Sequence, residues 1–131
     1  PVVRDLHADG YVMAVATTKV RSHVDRIVAK LGWAEYFSAL IGGDEVSSPK
    51  PDPAAFRLAV VRIDARIDEA LVIGDTINDI LAAQKIGIPS VAVKSPYGGE
   101  GELLASHPDY VIDSIAELPD LLREMSRKEA I

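Results

Sequence analysis

The sequence predicts an α/β fold, a mostly parallel sheet between layers of helix, and three observations carry that expectation. Apolar runs of strand length alternate with stretches that repeat apolar residues at helical intervals. The clearest strand, Tyr11 to Ala16, is apolar almost throughout, which suits a parallel strand covered on both faces. Helical stretches alternate with the strands, the arrangement that right-handed crossovers require.

In chain order, Val2, Val3 and Leu6 fall at helical spacing, and Asp9-Gly10 closes that short helix. The Tyr11–Ala16 strand ends in Thr17-Thr18-Lys19. Val24, Ile27, Val28 and Leu31 then mark a helix from Ser22 to a glycine stop at Gly32. Trp33, Tyr36 and Phe37 read as an aromatic packing cluster, and Ala39–Gly42 as a second strand. A loop from Asp44 to Asp52 holds Ser47-Ser48-Pro49-Lys50-Pro51. After Pro53, residues Phe56, Leu58, Ala59, Val60 and Ile63 form a helix with proline near its first position, where a missing N–H costs nothing. Ala70–Gly74 is a third strand, the stretch through Ile80, Leu81, Ala83 and Ile86 a helix ending at Gly87, and Pro89–Val93 a fourth strand. Tyr97–Gly101 reads as a rim loop, Glu102–Ser106 as a short helix, Tyr110–Ile112 as an edge strand, and Ile115–Met125 as a last helix.

The 131 residues, 48% hydrophobic, suit one domain over 1–131. Twenty acids against 14 bases give a net charge of −6 with the signs interspersed, so no basic surface invites nucleic acid or an anionic membrane. The absence of cysteine excludes thiolate metal sites and points to a reducing cytoplasm. No apolar run approaches the roughly 20 residues that span a bilayer. The chain opens on Pro1 inside a helical pattern and looks like a fragment or a processed product.

Three strand or loop ends carry chemistry. Asp75 and Asp79 follow the third strand, where two acids could hold Mg²⁺, a cation that prefers carboxylates, waters and phosphates; alternatively Asp75 caps the next helix and Asp79 lies on its solvated first turn. Thr17 and Thr18 follow the first strand, where a hydroxyl and the N–H groups opening the next helix can hold an anion; a helix cap is the rival reading. Lys50 stands between two prolines that restrict its backbone. Together they offer a phosphoryl group its donors, a cation to screen it and a metal site.

With these motifs in order, the chain resembles the haloacid dehalogenase-like hydrolase superfamily, in the manner of its phosphoglycolate phosphatase and beta-phosphoglucomutase type members. Val12–Lys19 looks like the second family motif, Ser48–Pro53 like the third and Gly74–Asp79 like the fourth, with Tyr36-Phe37 and Gly42-Gly43-Asp44 fitting between them. The resemblance implies the C-terminal portion of a three-layer α/β/α core with a Rossmann-like sheet. It implies a Mg²⁺-dependent phosphatase acting on a small phosphorylated metabolite. Thr17, helped by the Thr18 backbone, would bind the phosphate, although many members carry Asn or Ser at the position of Thr18. Lys50 would bridge the phosphate and the nucleophile, Asp75 would ligate the metal, and Asp79 would support that metal or orient Lys50.

One part of the family pattern is missing. No Asp-x-Asp-x-Thr occurs in the sequence, and Asp5-Leu6-His7-Ala8-Asp9 has the wrong spacing for it. The family's N-terminal strand, which carries the nucleophile, and its cap domain are therefore expected to be absent. This chain alone should be inactive, with a gap in its sheet that either closes or leaves edges open to dimerisation or strand exchange. A noncatalytic phosphate-binding or regulatory module is the alternative. A receiver domain, whose acids precede its threonine and lysine, and a dinucleotide-binding fold, which needs Gly-x-Gly-x-x-Gly after the first strand, fit less well.

Overall fold

A computed structural model describes residues 2–48, 50, 52–94 and 100–129. Among the described residues five strands and six helices alternate: α1 (Val2–Ala8), β1 (Met13–Ala16), α2 (Arg21–Lys30), β2 (Phe37–Ile41), α3 (Ala54–Arg62), β3 (Val72–Gly74), α4 (Ile77–Ile86), β4 (Ser90–Val93), α5 (Glu100–Ala105), β5 (Tyr110–Ile112) and α6 (Leu118–Glu129). Every strand pairing is parallel, as the alternation with helices predicts.

The strands form two sheets, β1-β2 and β3-β4-β5. Ala16 aligns with Ile41 in the first, and Gly74 with Ala92 in the second. Among the described residues β1 has no hydrogen-bonded neighbour on its second edge, and neither has β3. The expected gap is therefore open. It also explains a difference from the sequence reading: with one edge unpaired, Tyr11–Ala16 is not fully buried. The strand proper begins at Met13 and is only half-buried, and Tyr11 and Val12 are 38% and 60% exposed.

Strand alternation assigns the helices to two faces. Ile73 and Val91 pack with Leu6 of α1, Leu118 of α6 and Met13 of β1. The residues between them point the other way: Ala14 and Ala16 pack against Ile41, Ala55 and Ala59, and Val72 against Ala83. Met13 thus ties the first sheet into the second sheet's core although the two sheets share no strand pairing among the described residues. Gly87 ends α4 at φ 81°, a left-handed conformation that glycine adopts freely.

Several boundaries shift. Phe37 opens β2, so the aromatic cluster divides into Trp33 tilted against Phe37, centroids 6.3 Å apart, and Tyr36 against His7 at 5.3 Å. Gly43–Glu45 makes one 3₁₀ turn inside the expected loop. Gly101 lies in α5 instead of the rim loop, whose residues 97–99 fall outside the described set along with Pro49 and Pro51. The last helix runs past Met125 to Glu129.

Candidate functional site

The carboxyl ends of β1 and β3 meet at Lys50, whose ammonium reaches both the Ala16 carbonyl and Asp79 on the helix after β3. Thr17 prolongs the β1 ladder by donating its N–H to the Ile41 carbonyl, 3.1 Å. Its half-buried hydroxyl oxygen accepts the Lys19 N–H at 3.3 Å, which closes a local turn. Thr18 and Lys19 are exposed. The first N–H of α2, which the sequence offered as an anion donor, is occupied: Arg21 N–H donates to the Asp44 carboxylate, 2.8 Å.

Lys50 joins the two sheets. Its Nζ donates to the Ala16 carbonyl at the end of β1, 3.1 Å, and to Asp79 Oδ1 on the first turn of α4, 2.5 Å. The side chains of this pair are only 11% and 10% exposed. The ammonium also lies 5.4 Å from the Phe56 ring centroid, within cation–π range. Low exposure makes the pair matter: a surface lysine bridge contributes little, but a buried one leaves a costly lone charge if either partner is removed.

Asp79 is fixed from three sides. The Thr76 hydroxyl donates to its Oδ2, 2.9 Å, and the Asp79 N–H returns a longer bond of 3.3 Å to the Thr76 oxygen. A Cβ added at Gly74 would come within 2.7 Å of Asp79 Oδ2 and 2.8 Å of its Cγ, so the chain passes directly over the carboxylate. Thr76 is the N-cap of α4. The alternatives set out for the acids are corrected on two points: Asp75 is not the cap, and Asp79 is buried instead of solvated.

Asp75 is exposed just beyond β3 and makes no hydrogen bond or ion pair among the described residues. A hard oxygen donor in that position suits Mg²⁺. No group of three or more acids or histidines capable of enclosing a metal occurs among the described residues, and both Asp79 oxygens already accept protein donors. The residues present fit a cation as one part of its shell.

The structure therefore brings Lys50 and Asp79 into contact, and sets Thr17 one residue beyond the carbonyl that Lys50 holds. Sequence reasoning missed Thr76, although a hydroxyl three residues before an acid at a helix start is a capping signal. It also missed the roles of Arg21 and Glu45, which meet across 24 residues with no periodic trace.

The chain is similar to known proteins throughout. A family model described as haloacid dehalogenase-like hydrolase matches residues 1–93. The phosphoglycolate phosphatase of Vibrio parahaemolyticus is 35% identical over 120 residues, 92% of this chain and 53% of that protein. Pyrophosphatase PpaX of Bacillus cereus is 33% identical over 125 residues, 95% of this chain and 58% of that protein. A crystal structure described as a predicted phosphoglycolate phosphatase from Haemophilus somnus superposes with a TM-score of 0.85 at 30% identity, covering 92% of this chain and 54% of that one. The chain spans about half the length of the curated relatives it matches.

Proposed function

This chain belongs to the haloacid dehalogenase-like hydrolase family, and on that premise we propose that it serves a Mg²⁺-dependent phosphomonoesterase acting on a small phosphorylated metabolite in the cytoplasm. The observation that carries the reading is Lys50 Nζ held between the Ala16 carbonyl and Asp79 at the carboxyl ends of β1 and β3. An ammonium so oriented presents its remaining proton to an anion at the strand ends, while Asp79 holds it in place. Thr17 and the Thr18 N–H would take further phosphate oxygens. Asp75 would hold Mg²⁺, which supplies charge neutralisation as the phosphoryl group transfers.

No carboxylate in the 131 residues has the nucleophile's motif, so these residues bind phosphate but do not turn over a phosphate ester. A second reading is a phosphate-binding module without catalysis. Coding sequence upstream that specifies a strand ending in Asp-x-Asp-x-Thr supports the enzyme; a natural start near Pro1 supports the module.

Phosphate titration followed by NMR tests the shared premise. Inorganic phosphate is expected to shift the amides of Thr17, Thr18 and Lys50 in the parent chain. Lys50→Met combined with Asp79→Asn, which leaves no lone buried charge, should weaken binding by at least about tenfold, the worth of a charged hydrogen bond. Unaltered binding in the double variant refutes the assignment of Lys50.

A further inference from the structure

Six and five residues before Lys50, the acidic pair Asp44 and Glu45 grips the loop that carries Thr17 and Thr18. Asp44 Oδ1 accepts the Arg21 N–H at 2.8 Å and so caps α2, whose own N-cap residue, Val20, offers no side-chain bond. Glu45 Oε1 accepts the Arg21 guanidinium at 2.9 Å and lies 3.6 Å from that of Arg62, while its Oε2 accepts the Gly42 N–H at 2.9 Å. The Gly43 N–H donates to the Lys19 carbonyl, 2.7 Å. The segments touch so closely that a Cβ at Gly43 would come within 2.8 Å of the Thr18 carbonyl carbon, and one at Gly42 within 2.6 Å of Arg21 Cα. Burial pushes the Glu45 carboxyl up, but the Gly42 N–H, Arg21 and Arg62 together hold it below its ordinary value.

We propose that Asp44 and Glu45 are positioning residues that hold the Thr17–Val20 loop in its anion-binding conformation through the first turn of α2. The role rests on the phosphate site proposed above. Two physical consequences follow from the geometry. A helix N-terminus attracts anions through its free N–H groups, and here the first of these is taken by a carboxylate. That N–H is therefore unavailable to phosphate, which is left to the Thr17–Thr18 loop. The same clamp fixes the start of α2 relative to the segment leading to Lys50, so the two phosphate-contacting segments share one anchor.

Asp44→Asn, Asp44→Ala and Glu45→Gln in the full 131-residue chain test this by amide NMR with inorganic phosphate as the probe. Asparagine caps as well as aspartate, whereas alanine costs about 0.5–2 kcal/mol. Asp44→Asn should therefore keep the Thr17–Lys19 resonances and bind phosphate within about threefold of the parent, while Asp44→Ala should shift those resonances and weaken binding by about fivefold or more. Glu45→Gln, which keeps an acceptor for Gly42 but loses the charge facing Arg21, should shift the same resonances with the global fold intact. Resonances and affinity unchanged in Asp44→Ala and Glu45→Gln overturn the proposal. If phosphate perturbs no amide of the parent chain, the phosphate site itself is refuted. The ligand-free resonances of Thr17–Lys19 then still decide the clamp, which stands if alanine and asparagine at 44 differ there and falls if they coincide.

Discussion

The Lys50–Asp79 pair shows how enclosure changes the meaning of an ion pair. At the surface such a contact is worth little; here each side chain is about nine-tenths covered. Replacing Lys50 by methionine should destabilise the chain by about 3–5 kcal/mol, because Asp79 stays buried with its charge uncompensated. The additional change Asp79→Asn should restore most of that loss. Urea unfolding of the two single variants and the double variant measures the coupling, and additive losses would show that the charges do not sense each other. Lys50 and Asp79 were legible in the sequence as members of an ordered series of polar residues at strand ends. Their direct contact was not, since 29 residues separate them and nothing local records the pairing. Asp75 and Thr76 were confused for a simpler reason: both residue types cap helices well, and only the fold decides which one occupies the position.

At the scale of elements, β3 and α4 depend on two glycines for different physical reasons. Gly74 lies so close to Asp79 that any Cβ collides with the carboxylate. Gly87 has open space around it but a positive φ. Gly74→Ala is expected to cost about 1–3 kcal/mol as an overpacking change and to displace Asp79 from Lys50. Gly87→Ala should cost about 1 kcal/mol through its backbone alone and leave the site untouched. Thermal unfolding with amide shifts at Lys50 and Asp79 separates the two, and a Gly74→Ala chain with unmoved site resonances contradicts the steric account. Periodicity located all five strands and the helices between them, since burial of one helical face leaves a trace every three or four residues. It misjudged Phe37 and Tyr11, where an aromatic ring or an apolar residue suits a strand and its flanking turn equally.

At the scale of the whole molecule, the apolar run Tyr11–Ala16 predicted a fully covered strand, and the structure leaves that strand half-covered beside an open edge. Local sequence reports what a segment can bury, not whether the covering partner is present. An unpaired edge with no charge from Tyr11 through Thr18 lacks the usual defences against pairing with another chain. Sedimentation velocity should therefore reveal concentration-dependent self-association of the 131-residue chain. Val12→Lys, which puts a charge on that edge, should reduce it. A strictly monomeric, cooperatively folding parent chain would show that the edge is protected by other means.

The divided sheet also bears on distance. Thr17 ends one half and Asp75 follows the other, so the two halves are the jaws of a caliper whose opening would set how far the proposed anion at one lies from the proposed cation at the other. Hydrogen bonds along a continuous sheet would lock that opening to multiples of the strand spacing; here Lys50 is the rung across it. A flexible four-carbon side chain tolerates small changes in the opening that a backbone ladder would forbid. The separation between the two ends therefore rests on side-chain contacts, Lys50 and Met13 among them, instead of a backbone ladder.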